Sequence, residues 1–165
     1  MAVSAYEVIS TQTLGSAAAS VTFSSIPQTY TDLVLVAHPL CTAANDFMKV
    51  NINSDTGSNY SQTSLYGDGG SALSSRVSNS TFAFLSWLYI GTNPSVIVVN
   101  FQNYTNITTF KTFIFRDSSS THPGTASVVS LWRSTSAISY LTIARTGGGN
   151  FDTGSTFTLY GIKAA

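Results

Sequence analysis

The sequence predicts an all-β protein, built as a single antiparallel β-sandwich, and two observations carry the prediction. Short runs rich in β-branched and aromatic residues, with apolar and polar side chains in alternation, recur along the chain and end at Gly, Asn, Asp, Ser or Pro. No window shows the apolar spacing of an amphipathic helix. We expect about nine to eleven strands, and many short strands at this spacing favour a jelly roll.

Eleven runs fit the strand pattern, and two longer turn-rich stretches, Ser54–Thr81 and Asp117–Thr125, are predicted to be loops. The predicted strands are Tyr6–Ser10, Ser20–Ser24, Asp32–His38, Phe47–Asn53, Thr63–Tyr66, Phe82–Ile90, Val96–Asn103, Thr109–Arg116, Ala126–Arg133, Ala137–Arg145 and Thr156–Lys163.

Two of these strands are apolar on both faces. Leu33–Val36 and Val96–Val99 run without a polar residue, whereas Phe47–Asn53 alternates cleanly. Successive side chains of a strand point to opposite faces of its sheet. An uninterrupted apolar strand is therefore expected in the centre of the fold, or covered on its second face by a neighbouring subunit.

Length and composition predict one domain over residues 1–165 with an unusually neutral surface. Hydrophobic residues make up 43% of the chain and charged residues only 8%, against about a quarter charged in a typical soluble domain. Hydroxyl and amide groups are easier to desolvate than ionised groups, so such a surface tolerates burial against copies of itself. Seven basic and seven acidic residues are scattered singly, which makes nucleic acid and membrane surfaces unexpected partners.

Neither a disulfide nor an export signal is predicted. Cys41 is the only cysteine, and we expect it to be a small buried hydrophobe. Residues 1–10 lack the basic and apolar regions of a signal peptide, and no stretch has the length of a membrane helix. We expect the protein to be made in a cytoplasm and to stay soluble, and any function outside a cell would need a route other than secretion.

No set of residues resembles a catalytic or metal centre, so we expect a protein that is not an enzyme and has no cofactor. His38, His122 and Cys41 lack the spacing of zinc ligands, and the carboxylates show no general acid and base pairing. These carboxylates are Glu7, Asp32, Asp46, Asp55, Asp68, Asp117 and Asp152. Asp32, Asp55, Asp68 and Asp152 adjoin turn-like sequence and are predicted to cap their own backbone.

Two glycine-containing stretches have a ligand-binding loop as an alternative interpretation. Asn51–Gly70 resembles an oxygen-rich cation loop but lacks the alternating acids of an EF-hand, so calcium is the less favoured interpretation. Gly147–Gly149 follows a strand with no helix-forming sequence after it, which argues against a phosphate loop. We interpret it as a hairpin turn between the last two strands.

Aromatic residues concentrate in the middle third of the chain. We expect them to fill the core and subunit contacts, with a sugar-binding surface as the alternative. They are Phe82, Phe84, Trp87, Tyr89, Phe101, Tyr104, Phe110, Phe113 and Phe115. Alternation also places Trp132 on one face with Val128 and Ser130, and that face is predicted to be the core.

Four segments resemble a family of small virion structural proteins of tailed bacteriophages, especially phages of cyanobacteria and other aquatic bacteria. They run in the family's order through nearly the whole chain, and the last is the most specific. The segments are IPQTYTDL at residues 26–33, DTGSNYS at 55–61, WRST at 132–135 and GSTFTLYGIK at 154–163.

The resemblance implies a β-sandwich subunit of a virion that folds in the host cytoplasm and leaves by host lysis. It supplies no catalytic residues. The first hypothesis is an outer capsid decoration or cement protein, a homotrimer seated on the major capsid protein. The second is a tail-fibre or receptor-binding module whose loops recognise a host surface glycan. Strands that begin within the first ten residues favour the first, and a polysaccharide hydrolase is the weakest interpretation.

Overall fold

The computed structural model describes residues 5–43, 45–120 and 122–163, which form twelve strands and no helix. No helix in these ranges could therefore cross a membrane. The strands are β1 (Tyr6–Thr13), β2 (Ser20–Phe23), β3 (Asp32–His38), β4 (Met48–Ile52), β5 (Tyr60–Gly67), β6 (Ala72–Ser80), β7 (Ala83–Phe84), β8 (Ser95–Phe101), β9 (Lys111–Ser119), β10 (Thr125–Trp132), β11 (Leu141–Arg145) and β12 (Thr156–Ile162).

The strands form two antiparallel sheets of unequal size. The large sheet has the order β1-β12-β3-β8-β9-β10-β5-β6, and the small sheet has the order β2-β11-β4-β7. The all-β sandwich is confirmed, with slightly more strands than the sequence predicted.

The pairing of the strands is nested in the manner of a jelly roll. Strands β3, β4 and β5 pair in turn with β8, β7 and β6, and on their other edges with β12, β11 and β10. The pairs made by β3 lie in the large sheet, those made by β4 lie in the small sheet, and those made by β5 lie in the large sheet again. A folded antiparallel ribbon therefore wraps into two packed layers, which is how jelly rolls limit their exposed edges.

Alternation along the strands separates an inner and an outer face of the large sheet. On β3, Leu33 and Leu35 are fully buried against the small sheet, while Val34 and Val36 lie on the outer face. In the small sheet, Met48, Val50 and Ile52 point into the core, as their alternation predicted.

β6 is the main strand that the sequence analysis missed, because Ser54–Thr81 was expected to be a loop. Its residues are polar or exposed on both faces, so it shows no alternation. The strand forms by pairing with β5 at the edge of the large sheet. β9 likewise continues to Ser119, into the second expected loop.

The predicted strand Phe82–Ile90 is wrong beyond its first residues. Only Ala83–Phe84 is a strand. Side chains of the large sheet accept from three backbone donors of this stretch: Gln62 accepts from the N–H of Phe84 at 3.0 Å, and Asp117 accepts from Trp87 and Leu88 at 2.6 and 2.7 Å. The carbonyl of Met48 in β4 accepts from Leu85 and Ser86. Segment 84–90 is therefore an irregular cover over the large sheet.

The hairpin predicted at Gly147–Gly149 is also wrong, since β11 and β12 belong to different sheets. The glycines lie instead around a buried ion pair between Arg145 and Asp46. The N–H of Gly147 donates to Asp46, and a Cβ at Gly149 would collide with the Arg145 guanidinium. Small residues are required here because the guanidinium occupies the space beside the backbone.

Trp132 is buried in the core at 2% exposure, as predicted. It pairs across the sheet with Tyr60, and its indole N–H donates to Asp55 at 2.7 Å. Tyr60 donates to the backbone carbonyl of Asp55 and accepts from the N–H of Ile52. The tryptophan therefore joins the sandwich core to the 55–61 turn.

Trp132→Ala should lower the free energy of unfolding by roughly 3–5 kcal/mol, because it leaves a cavity in a packed core. The measurement is urea denaturation followed by circular dichroism. Trp132→Phe is the matched control: it retains most of the buried volume and loses the bond to Asp55, so its loss should be smaller. Equal unfolding midpoints for wild type and Trp132→Ala would contradict the core role.

Candidate functional site

An aromatic pocket of about 380 Å³ opens where segment 84–90 covers the end of the large sheet. Its walls come from the residue before β4, from β5, from β7 and the segment after it, and from the connection between β9 and β10. The lining residues are Phe47, Tyr66, Phe84, Trp87, Leu88, Tyr89 and His122.

Six rings of the pocket form one continuous chain of contacts. The ring of His122 meets Tyr89, with centroids 5.7 Å apart, and Tyr89 stacks on Phe47 at 4.7 Å. Phe47 meets Phe84 at 5.7 Å, and the chain continues through Trp87 to Tyr66 at 5.6 and 6.0 Å. Each ring thus restricts the orientation of the next, and the wall of the pocket is already formed.

The pocket is held from below by polar side chains on the inner face of the large sheet. Asp117 accepts from Trp87 and Leu88 through a single carboxylate oxygen, and Ser119 donates to the carbonyl of Tyr89 at 2.6 Å. Gln62 fixes Phe84 in the same way. The backbone that carries the aromatic side chains is therefore fixed at several points.

Asp117 is only 6% exposed, and its second carboxylate oxygen is buried with no hydrogen-bond partner among the described residues. Burial raises the pKa of this carboxyl to about 6, because the two N–H donors offset only part of the lost hydration. At neutral pH the group is ionised, and its charge strengthens the bonds to Trp87 and Leu88.

The pocket offers hydrogen-bonding groups that the fold does not use. The hydroxyls of Tyr66 and Tyr89 and the indole N–H of Trp87 bond to no residue in the described ranges. Its lining contains no Asp, Glu, Lys or Arg. The site therefore combines apolar ring surface with neutral donors and acceptors.

His122 was predicted to have a structural role only, and the aromatics of the middle third were predicted to fill the core and subunit contacts. Phe101, Tyr104, Phe113 and Phe115 lie in the core as expected. Phe82, Phe84 and Trp87 are only half-buried, while Tyr89 and Phe110 are exposed. Tyr66 and Phe47, which complete the pocket, were not singled out. They are distant in sequence from segment 84–90, so no local pattern could indicate them.

Three of the four turn-capping aspartates behave as predicted. Asp55 accepts from Gly57, Asp68 from Gly70 and Ser71, and Asp152 from Thr153. Asp32 does not cap its own turn: it accepts from the N–H of Asn103, 71 residues away, at 2.6 Å. The correction arises because β3 and β8 are neighbours in the large sheet.

Two carboxylates expected to stand alone form ion pairs. Asp46 lies 3.0 Å from Arg145, and Glu7 lies 2.7 Å from Lys163. Burial alone would raise the pKa of the Asp46 carboxyl. Hydrogen bonds from Thr146, Phe47 and Gly147, together with the charge of Arg145, lower it by more, so the pKa lies below its usual value. The partners are 99 residues apart in the first pair and 156 residues apart in the second, so local sequence spacing gives no signal for them.

The remaining candidate ligands are dispersed. Cys41 is buried, and burial raises the pKa of its thiol to about 11, in agreement with the buried position predicted for it. His38 is exposed at the end of β3. In residues 5–43, 45–120 and 122–163, no three His, Cys, Asp or Glu side chains are grouped to hold a metal ion.

A second surface is formed by the outer face of the large sheet, which we call the outer apolar surface. Five of its side chains are between 41% and 65% exposed: Tyr6, Val8, Leu65, Val96 and Val129. Partly covered apolar neighbours lie between them in the sheet register: Val36, Val98, Ile114, Leu131, Tyr160 and Ile162. Beside the β5–β6 hairpin, the surface curves into a groove of about 760 Å³.

Comparison with known proteins identifies no family. No protein-family model and no curated protein matches the chain. Among solved structures, a Scytalido-glutamic peptidase bound to a peptide-based transition-state analogue aligns with 94% of this chain and 66% of its own, at 12% identity and a TM-score of 0.26. A TM-score this low supports no inference about fold or activity.

Asp117→Asn should change how stability depends on pH. The raised pKa means that the folded protein binds this proton more tightly than the unfolded chain does. The stabilisation of the folded state by the protonated carboxyl is therefore complete below about pH 4 and is lost as the pH rises through about 6. A shift of about two pKa units corresponds to roughly 3 kcal/mol.

The variant cannot titrate at this position but retains an oxygen acceptor for Trp87 and Leu88. Its stability relative to wild type should therefore rise by roughly 2–3 kcal/mol between pH 4 and pH 7. Urea denaturation of both proteins across this range measures the difference. A difference that does not change with pH would contradict the raised pKa.

Proposed function

We propose that the protein is a structural subunit of a tailed-phage particle, a homotrimer that decorates the outer surface of the head. The observation that carries the proposal is the outer apolar surface. The resemblance of the four sequence segments to virion structural proteins supplies the biological context. The role is one of binding and assembly, without a chemical step.

The outer apolar surface has the composition of a protein contact. Val98 lies beside Val36, and Ile114 lies beside Val129, so apolar side chains continue from strand to strand. Contiguous exposed apolar patches are uncommon on monomeric proteins and mark interaction sites. A neighbouring subunit that covered this face would explain why β3 and β8 are apolar on both sides.

The charge distribution supports a second copy of the chain as the occupant. The net charge is zero, so copies are not kept apart by long-range repulsion. Arg116 and Arg76 are the exposed cations on the outer face of β9 and β6. Between them lie Ser127 and Leu65 and other neutral residues, whose burial has a small desolvation penalty.

The tail-fibre or receptor-binding module is the second candidate. The aromatic pocket favours it, because exposed rings with unused hydrogen-bonding groups are typical of recognition sites. Locating the protein in purified particles by electron microscopy distinguishes the two candidates. Density on the head supports the decoration role, and density on the tail alone would overturn it.

The oligomer should depend on the outer apolar surface. Wild type is expected to be a trimer by light scattering at micromolar concentration. Leu65→Asp and Val129→Asp should shift it towards monomer, because each would bury an unpaired charge in the contact. Ile107→Asp is the matched control, since Ile107 is an exposed apolar residue in the loop between β8 and β9. A monomeric wild type, or equal dissociation of the control, would contradict the proposal.

Attachment to the particle should resist salt. Contacts made by apolar area and neutral hydrogen bonds are weakly screened, whereas salt screens exposed charges separated by more than a Debye length of about 10 Å at 0.1 M. We expect the protein to remain on particles washed with about 1 M sodium chloride, as quantified by gel densitometry. Release below roughly 0.5 M would show that charges govern attachment.

A further inference from the structure

We propose that the aromatic pocket is a binding site for a neutral sugar, taking a single pyranose ring of a glycan against its wall of aromatic side chains. This inference is independent of the position of the protein on a particle. It rests on the shape of the pocket, on its unused polar groups and on its location relative to the outer apolar surface.

The size and lining of the pocket suit a small ligand with an apolar face. Its volume of about 380 Å³ falls in the lower part of the roughly 300–1,000 Å³ range of ligand pockets. Trp87 is half-buried and Tyr89 is exposed, so both rings present surface to solvent. The C–H face of a pyranose is apolar and flat and can pack on such rings.

The unused polar groups favour a hydroxylated ligand. The hydroxyls of Tyr66 and Tyr89 and the indole N–H of Trp87 have no partner in the described part of the chain. A sugar offers several hydroxyls, each of which can donate and accept. A quaternary ammonium group could also lie against aromatic rings, but it forms no hydrogen bond, and the single hydroxyl of choline would leave at least one of the three groups unpaired.

The absence of ionised residues from the lining favours a neutral sugar. No Asp, Glu, Lys or Arg contributes to the pocket wall. Asp117 lies behind the wall, and its carboxylate accepts from the N–H groups of Trp87 and Leu88. Apart from the imidazole of His122, the lining offers neither an anionic nor a cationic ligand a charged partner.

The pocket is held in its binding shape and lies on the opposite face of β5 from the outer apolar surface. The bonds from Asp117, Gln62 and Ser119 fix segment 84–90 before a ligand arrives, which lowers the entropy lost on binding. Tyr66 points to the inner side of the large sheet, whereas its neighbour Leu65 lies on the outer apolar surface. A subunit that covers Leu65 would therefore contact the opposite face of β5 from the pocket, although Tyr66 also lines the groove beside the β5–β6 hairpin.

The chain provides its own probe, because Trp87 and Trp132 are its two tryptophans. In Trp132→Phe, emission reports on the pocket alone. Glucose, galactose, mannose and N-acetylglucosamine are titrated separately into this variant, with choline as the rival ligand. We expect a saturable change with at least one sugar, with a Kd on the order of 1 mM, and none with choline.

Saturation-transfer NMR on single variants that retain Trp132 then tests which pocket residues contribute to sugar binding. Trp87→Ala should weaken binding of that sugar about tenfold or more. Tyr89→Phe removes only a hydroxyl and should weaken binding about threefold while retaining the fold. Phe110→Ala, an exposed aromatic outside the pocket, is the matched control and should bind as wild type.

Three results would overturn the inference: no sugar in the panel binds, choline binds in their place, or Trp87→Ala binds as wild type. Leu65→Asp separates this inference from the assembly proposal. If the variant loses the oligomer and still binds sugar, the two surfaces are independent. If it loses sugar binding as well, the ligand depends on the oligomer, and the pocket of a single chain is not the site.

Discussion

The unequal size of the two sheets is the constraint on which the rest of the structure depends. Eight strands cannot be covered by four, and a sheet with apolar side chains on both faces needs cover on each. The inward side chains of β3, β8 and β12 are buried in the core. The irregular segment 84–90 adds cover over Gln62 and Asp117, and several apolar side chains of the outer face stay exposed in the described part of the chain. The aromatic pocket and the outer apolar surface are both consequences of this mismatch.

The sequence predicts the fold where burial on one face imposes alternation. β3, β4 and β12 are found close to their expected bounds because their inward side chains are apolar. It fails at β6, whose serines face solvent on both sides, since pairing with β5 and not burial makes it a strand. It fails again at segment 84–90, which is apolar enough for a strand. There Asp117 and Gln62 take the backbone donors that a neighbouring strand would have used.

The four segments that we compared with virion proteins contact one another in two pairs: 26–33 with 154–163, and 55–61 with 132–135. Tyr30 packs on Gly161, where a side chain would collide with its ring, and donates to Glu7. Arg133 donates to the carbonyl of Ser58 and to Asn79, beside the bond between Trp132 and Asp55. Such residues fix how strands meet at the ends of the sandwich. These segments therefore contribute to the architecture, and none of them contains a residue that lines the pocket.

Asp117 shows how stability and site geometry are connected. An amide at this position would accept hydrogen bonds from the same N–H groups of Trp87 and Leu88 without burying a charge. The raised pKa of Asp117 reflects the penalty of burying that charge. In return, a carboxylate forms shorter and stronger bonds than a neutral acceptor, and both bonds here are under 2.8 Å. The ionised carboxylate therefore lowers the free energy of unfolding and makes the backbone beneath Trp87 more rigid. A rigid backbone orients the ring before a ligand arrives, which is where local order contributes most to binding.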